Sequence, residues 1–302
     1  MSEVHTALEA AGLTLTSNVP LAKLGYWRLG GPADLLVDVE DTSQLQAVMA
    51  TGQPVTVLGN GSNLLVADEG IRGITIRLRG EFRASEADGE VLTAGGGLMN
   101  TVLLARLDRL ELGGLGCLAG VPGTLGGAIR MNAGTRLGEI GHRVIWVEVV
   151  LPGGEKRRLS PEDIGFSYRW AKLPDGAIIT RAQLQLSQEL FAQERESMAE
   201  HIAYRKRTQP LDQPSCGSVF KNPAGDHAGR LIEDVGLKGH RHGGARISDK
   251  HANFIVNEGE ASAMDVYTLI KLARDTVLRE HHIHLEPEVH AVGDWPDGLW
   301  PL

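Results

Sequence analysis

Short apolar runs bounded by glycine recur through the first half of the chain. Residues 35–39, 55–58, 74–78, 91–94, 144–151 and 178–186 each carry aliphatic and β-branched side chains at strand length and predict strands. Helical spacing marks residues 43–50 and 98–110, the latter with Val102, Leu103, Ala105 and Leu107 as its apolar positions and Gly113-Gly114 as its stop. A longer helix is predicted over about 188–207, closed by Pro210, and it separates the first half from the C-terminal third of the chain. Further on, Ser262 and Asp265 have the spacing of a capping box, and Val266, Leu269, Ile270, Ala273, Val277 and Leu278 keep the helical period behind it. Residues 283–289 then predict an extended strand in which Pro287 suits an edge or a strand start. The pattern is α+β with long glycine loops and no internal repeat.

Composition narrows the picture. A chain of 302 residues has room for about two domains or three small ones, and its 38 glycines imply many places where backbone approaches something closely. A net charge of -8 argues against nucleic-acid and anionic-membrane partners, while leaving room for a local basic patch that meets a phosphate. Cys117 and Cys216 are the only cysteines and build no disulfide framework, which points to a reducing compartment. With no apolar leader core in the first 20 residues and no long apolar run, the expected location is the cytoplasm.

The most chemically loaded stretch is Pro214-Ser215-Cys216-Gly217-Ser218-Val219-Phe220-Lys221-Asn222-Pro223. Two prolines stiffen it, so its hydroxyls, amide and ammonium project from a held turn in which a serine either delivers a proton or merely satisfies backbone. The turn Leu58-Gly59-Asn60-Gly61-Ser62-Asn63 bares successive amides and offers an anion cradle, although read alone it is first a hairpin turn. It lacks the lysine of a phosphate-binding Walker loop and the helix of a dinucleotide fold. Gly120, Gly123, Gly126, Gly127 and Gly134 crowd one segment, as a backbone lying flat against a large ligand requires.

Three further groups carry charge. Arg169 stands between Tyr168 and Trp170, where a guanidinium either clamps a carboxylate or packs by its stem. Glu286 and Glu288 share one face of the expected strand, as a general acid or as solvated carboxylates. Arg205, Lys206 and Arg207 end their helix, complementing its dipole or meeting a substrate phosphate. The histidines at 240, 242, 281, 282 and 284 have no zinc-ligand spacing, so no metal is expected.

Taken in order, these segments resemble the UDP-N-acetylenolpyruvoylglucosamine reductase (MurB) family. The likeness runs from about residue 24 to 293 through Arg28-Leu29-Gly30-Gly31-Pro32-Ala33, the 59–66 loop, Leu118-Ala119-Gly120-Val121-Pro122-Gly123-Thr124, Met131-Asn132-Ala133-Gly134, Tyr168-Arg169, the 215–223 loop, Lys250-His251-Ala252-Asn253-Phe254-Ile255-Val256-Asn257 and Leu285-Glu286-Pro287-Glu288-Val289. The short passage after Arg169 is similar to the branch lacking an inserted, tyrosine-bearing loop. Tyr26 and Ala171 depart from the family's usual threonine and serine, which puts local flavin packing in question.

The resemblance implies an α+β fold: a two-subdomain FAD-binding unit of the vanillyl-alcohol-oxidase (PCMH) type over 1–78 and 79–200, and a smaller α+β substrate-binding domain over 201–302. It implies non-covalent FAD, with the diphosphate on Leu58, Gly59, Asn60, Gly61, Ser62 and Asn63 and the ring near Gly120, Pro122, Gly123, Thr124, Gly127 and Ala128. NADPH would reduce the flavin, which passes hydride from N5 to C3 of the enolpyruvyl ether; protonation at C2 yields UDP-N-acetylmuramate for peptidoglycan. By the same likeness Ser218 is the proton donor, Arg169 and Glu288 stabilise charge, and Tyr168, Arg205, Arg207, Lys221 and Asn222 meet the substrate. The expected enzyme is a cytoplasmic, monomeric oxidoreductase acting on a CH–CH group with NADP. Two other readings are a sugar or alcohol oxidase on the same scaffold and a non-catalytic nucleotide-sugar binder. Against the first, no histidine lies between His5 and His142 to tether flavin early in the chain; against the second, a binder has no need of Arg169, Ser218 and Glu288 together.

Overall fold

The computed structural model describes residues 2–300, which form two compact units. The first comprises residues up to Ser17, Leu35–Asn60 and Gly73–Ala203; the second comprises Asn18–Asp34, Gly61–Arg72 and the chain from Tyr204 onward. Both units therefore draw on separated stretches of sequence.

The first unit holds two sheets. One runs in the order Leu15–Pro20, Pro32–Val39, Ile71–Leu78, Val55–Val57. Its central strands bury Leu35, Val37, Val39, Ile74 and Ile76 against Leu45 and Val48 of the Thr42–Ala50 helix, whose first turn is capped by the Asp41 carboxylate accepting from the Gln44 amide. The other sheet has five strands in the order Lys156–Leu159, Val144–Val150, Ile178–Gln185, Val91–Gly95, Ser85–Asp88, and its named pairings are antiparallel. One face buries Leu92, Ala94, Val147, Val149, Ala182 and Leu184 with Leu103 and Leu107 of the Asn100–Leu110 helix. The other is polar, and there the Trp146 indole donates to Gln183 Oε1 at 2.9 Å.

In the second unit a three-stranded antiparallel sheet, Arg241–His242, Ala245–Ile247 and Ile255–Asn257, accompanies the Ala263–His281 helix. Ser262 and Asp265 form the expected capping box, and Asp68 adds a second carboxylate that accepts from the Ala263 and Met264 amides at 2.7 and 3.1 Å. Trp27, Leu29 and Leu65 come from early in the chain and are buried among Phe220, Ile255, Val266 and Ile270. The Trp27 indole donates to the Ile255 carbonyl at 2.7 Å, and the Asn257 side chain returns a bond to the Trp27 carbonyl at 2.8 Å. Gly31 and Gly70 let the two early segments pack on each other: a Cβ at Gly31 would stand 2.2 Å from the Asp68 carbonyl oxygen, and one at Gly70 would overlap the Pro32 carbonyl.

Several sequence expectations need correction. Residues 57–66 form no hairpin: Val55–Val57 pairs in parallel with Ile74–Ile76, and Leu64–Val66 pairs in parallel with His290–Val292. Each strand finds a distant apolar partner, and the small-residue turn is left as connecting backbone. Residues 283–289 are not a strand, so Glu286 and Glu288 do not sit on a ladder; Pro287 makes a single bridge with Phe220 and the strand begins at His290. The missing proline N–H limits pairing there. Val102 and Leu278 fit the helical period but are exposed. The Asn100–Leu110 helix stops at Glu111, in the left-handed region at φ 53, before reaching the glycines. A short helix, Leu125–Arg130, lies in the glycine-rich segment behind an N-cap at Thr124, where the poor helix propensity of glycine hides it from the sequence.

Candidate active site

The 214–223 loop is held from outside more than by its prolines. Asn257 donates its amide to the Pro214 carbonyl at 3.0 Å, and the Cys216 thiol lies 3.6 Å from the carbonyl oxygens of both Gly61 and Leu64. Val219 N donates to the Asn253 carbonyl at 2.8 Å, Phe220 N to Asn253 Oδ1 at 2.9 Å, and Asn253 Nδ2 to the Phe220 carbonyl at 2.8 Å. On the opposite edge Glu288 N donates to the Val219 carbonyl at 2.7 Å and Lys221 N to the Glu286 carbonyl at 2.9 Å. These two rungs place Glu288 opposite Val219, one residue from Ser218. Ser218 is half-buried and comes directly after Gly217, which takes φ +79. Asn63 Nδ2 fixes the second carboxylate segment through the Glu288 carbonyl at 3.1 Å.

Burial pushes the Cys216 thiol up to about 12, and burial followed by the Glu194 charge does the same for Cys117. Both are inert at neutral pH, so no nucleophile is on offer in the loop. The folded chain keeps two protons that the unfolded chain releases from about 9.0, so this contribution to stability is full below pH 9 and is lost as pH rises towards 12. Iodoacetamide at pH 8 is expected to label neither cysteine in the native protein and both in urea; fast native labelling of Cys216 would contradict its burial.

In the first unit the glycine segments meet. A Cβ on Gly59 would lie 3.1 Å from Thr124 Oγ1, so the turn after Val55–Val57 and the N-terminus of Leu125–Arg130 are neighbours. Among the described residues the amides of Gly59, Gly123 and Thr124 donate no hydrogen bond, and in the second unit the same is true of Gly61 and Asn63. Donors without acceptors, on backbone with little or no side chain in front, are what an anionic cofactor needs. Leu58 is buried beneath the turn with its amide bonded to the Ile76 carbonyl at 2.8 Å. Gly126, whose amide reaches the Gly96 carbonyl at 2.8 Å, and Ala128, which is buried, anchor the second segment.

Arg169 sits at φ 56 in a tight turn closed by the reciprocal bonds of Ser167 and Trp170, both 3.0 Å. Its Nη2 donates to the Gly134 carbonyl at 2.8 Å, and its guanidinium carbon lies 4.9 Å from the centre of the Tyr168 ring. Trp170 is about half exposed and does not enclose it. Asn132, buried and itself at φ 40, ties this turn down: Nδ2 donates to the Ser167 carbonyl at 2.9 Å and to Glu139 Oε2 at 2.8 Å, while Oδ1 accepts from Gly141 N at 2.9 Å.

The remaining expected contacts, Lys221, Asn222, Arg205 and Arg207, lie in the second unit. Lys221 Nζ pairs with Glu286 at 2.6 Å, with most of the lysine covered and the carboxylate exposed. Asn222 Oδ1 accepts from Ala228 N at 3.1 Å, so its amide serves the start of the Ala228–Asp234 helix. Arg205 Nε donates to Gln209 Oε1 at 2.7 Å, and burial moves its guanidinium below the usual value. Arg207 is exposed, and Lys250 Nζ caps this helix end at the Lys206 carbonyl, 2.7 Å away. Among the described residues no group of three or more side chains converges as metal ligands.

Two family models match the chain, an FAD binding domain over residues 33–160 and the C-terminal domain of UDP-N-acetylenolpyruvoylglucosamine reductase over 209–292. The UDP-N-acetylenolpyruvoylglucosamine reductase of Anaeromyxobacter sp. (strain Fw109-5) is 47% identical over 92% of this chain and 88% of its own length. The chain belongs to the UDP-N-acetylenolpyruvoylglucosamine reductase family. Another reductase of this family, from Moorella thermoacetica, is 42% identical over 98% of this chain and 97% of its own. The crystal structure of the family's reductase from Thermus caldophilus superimposes with a TM-score of 0.80 at 41% identity, covering 94% of this chain and 99% of that one. The fold is therefore the α+β, FAD-binding fold of this reductase family, and the open amides of Gly59, Gly123 and Thr124 lie inside the FAD-binding match and suit a diphosphate. Asn132 ties the Arg169 turn down within the first unit and Asn253 clamps residues 219–220 within the second, although the sequence alone gives neither of them a role. The signal for Asn253 is a lone amide in an apolar run, Ala252-Asn253-Phe254-Ile255-Val256. Of the two departures from the family pattern, Ala171 is buried and Tyr26 is partly exposed, with its amide bonded to the Gly61 carbonyl at 3.1 Å.

Proposed function

We infer that this chain is an oxidoreductase that converts the enolpyruvyl ether of UDP-N-acetylglucosamine to UDP-N-acetylmuramate, using NADPH and non-covalently bound FAD, in the supply of peptidoglycan precursors. It acts as a cytoplasmic monomer. Residues 1–78 and 79–200 provide the two flavin-binding subdomains and 201–302 the substrate domain. The observation that carries the reading is the double-sided clamp on residues 219–221, which sets Ser218 and the Glu288 segment in fixed register within the matched reductase domain.

FAD, when bound and reduced by NADPH, would supply the hydride needed at C3 of the substrate. The chain's own task is to manage the charge left at C2 and in the adjoining carboxylate, and to deliver one proton. Ser218 donates that proton to C2 from a position held on its C-terminal side. Arg169, always cationic, faces the developing carboxylate charge, and Glu288 is the second group at the reacting carbons. Leu58, Gly59, Asn60, Gly61, Ser62 and Asn63 would hold the diphosphate of FAD, and Gly120, Pro122, Gly123, Thr124, Gly127 and Ala128 would hold its ring. Tyr168, Arg205, Arg207 and Lys221 bind the nucleotide sugar. Asn222 touches it through its amide nitrogen, since its oxygen is engaged.

The test is a titration under anaerobic conditions. Purified protein is expected to be yellow, to bleach with NADPH, and to regain colour on adding the enolpyruvyl nucleotide sugar. Return of colour with air alone at a turnover rate would replace the reading with an oxidase. A colourless protein that FAD does not reconstitute would sink both.

A further inference from the structure

We propose that Asn253 is the positioning residue for the proton donor, a role that rests on reading Ser218 as that donor. Residues 219–220 offer four backbone polar groups. Asn253 takes three of them, Val219 N through its carbonyl and Phe220 N and the Phe220 carbonyl through its side-chain amide, and Glu288 N takes the fourth. Both partners of the amide are buried, Asn253 being 3% and Phe220 2% exposed. A primary amide is the uncharged group that accepts and donates side by side, so Asn253 pairs with Phe220 as a neighbouring strand residue would. Its own amide is steadied by His251 Nδ1 at 3.3 Å.

Ser218 depends on this clamp because the other anchor, the buried Cys216, reaches it only through Gly217. Among the described residues it makes no hydrogen bond of its own. Before it stands Gly217, left-handed at φ +79 and with open space where a side chain would be. The position of Ser218 Oγ is therefore set from the 219–220 side, and the Glu288 rung hangs on the same two residues. One buried amide thus fixes the register of two proposed site residues without touching substrate.

Asn253→Ala leaves Phe220 N and its carbonyl buried without partners, so the near-isosteric Asn253→Asp is the working variant, which keeps the acceptor and loses the donor. Asn253→Ser carries the same test should the carboxylate fail to fold, with FAD content and melting temperature as the check. In rapid mixing, flavin reduction by NADPH is expected within about twofold of the native rate, while reoxidation by the enolpyruvyl nucleotide sugar falls by roughly 10- to 100-fold, the scale of an ångström-level misplacement. In the Ser218→Ala background the same substitution is expected to cost reoxidation clearly less than it does alone, since one of the two groups it positions is gone. Native-rate reoxidation by a folded Asn253→Asp protein, or losses that multiply in the double variant, would overturn the inference and leave Asn253 as packing. Native-rate reoxidation by Ser218→Ala alone would instead remove the proton-donor reading and this inference with it.

Discussion

Ser218→Ala is expected to leave reduction of the bound flavin by NADPH near its native rate and to slow reoxidation by the enolpyruvyl nucleotide sugar by roughly 10²–10⁴-fold, the usual contribution of a positioned general acid. The split comes from the chemistry. Moving hydride from nicotinamide to flavin needs no proton at C2, whereas completing the substrate does. The substitution is also gentle: Ser218 is half-buried, makes no hydrogen bond among the described residues, and its neighbours are clamped independently of its hydroxyl. The variant should therefore keep its flavin and its melting temperature. Single-turnover absorbance of the flavin measures the two half-reactions separately. Equal slowing of both would mean that Ser218 supports the site's shape, and no slowing would remove the proton-donor role.

Arg169→Ala should cost turnover roughly 10²–10³-fold, in the range for removing one fixed group that stabilises developing charge. The structure shows what fixes the cation. Its backbone is left-handed, its turn is tied to Asn132, its Nη2 rests on the Gly134 carbonyl, and its plane lies near Tyr168. Arg169→Lys keeps the charge and gives up the planar fork, so it should recover only part of the loss. Stopped-flow reoxidation of the flavin at saturating substrate is the measurement. If Arg169→Ala reoxidises within a factor of about three of native, the guanidinium is a structural brace for the 134–170 region and the charge is met by another residue.

How much of the molecule is legible in its sequence depends on the range of the interactions involved. The Ser262–Asp265 capping box and six strands of the first unit arise from local spacing and lie where the spacing puts them, whereas the edge strands Leu15–Pro20, Ser85–Asp88 and Lys156–Leu159, poor in apolar residues, escape it. The ordered glycine, arginine and serine motifs suffice for the family. What escapes are pairings that leave no local period. Nothing near residue 64 announces a partner at residue 290, and nothing near Trp27 announces the Ile255 carbonyl. Asn253 reads as a break in an apolar run because its two bonds go to a loop 33 residues earlier. Asn222 shows the converse: a side chain expected at substrate is half engaged by a helix start that begins six residues on.

The patchwork origin of the second unit bears on how the protein is made. Trp27, Leu29 and Leu65 leave the ribosome early, yet the Phe220, Ile255 and Ile270 surfaces that bury them are translated near the end. The nascent chain must carry an uncovered tryptophan until synthesis is almost complete. Expression of the chain from Tyr204 onward as a separate fragment would lack the indole and the Leu64–Val66 strand that its own interior requires. A stop before about residue 255 therefore removes most of the apolar surface that Trp27, Leu29 and Leu65 need for cover.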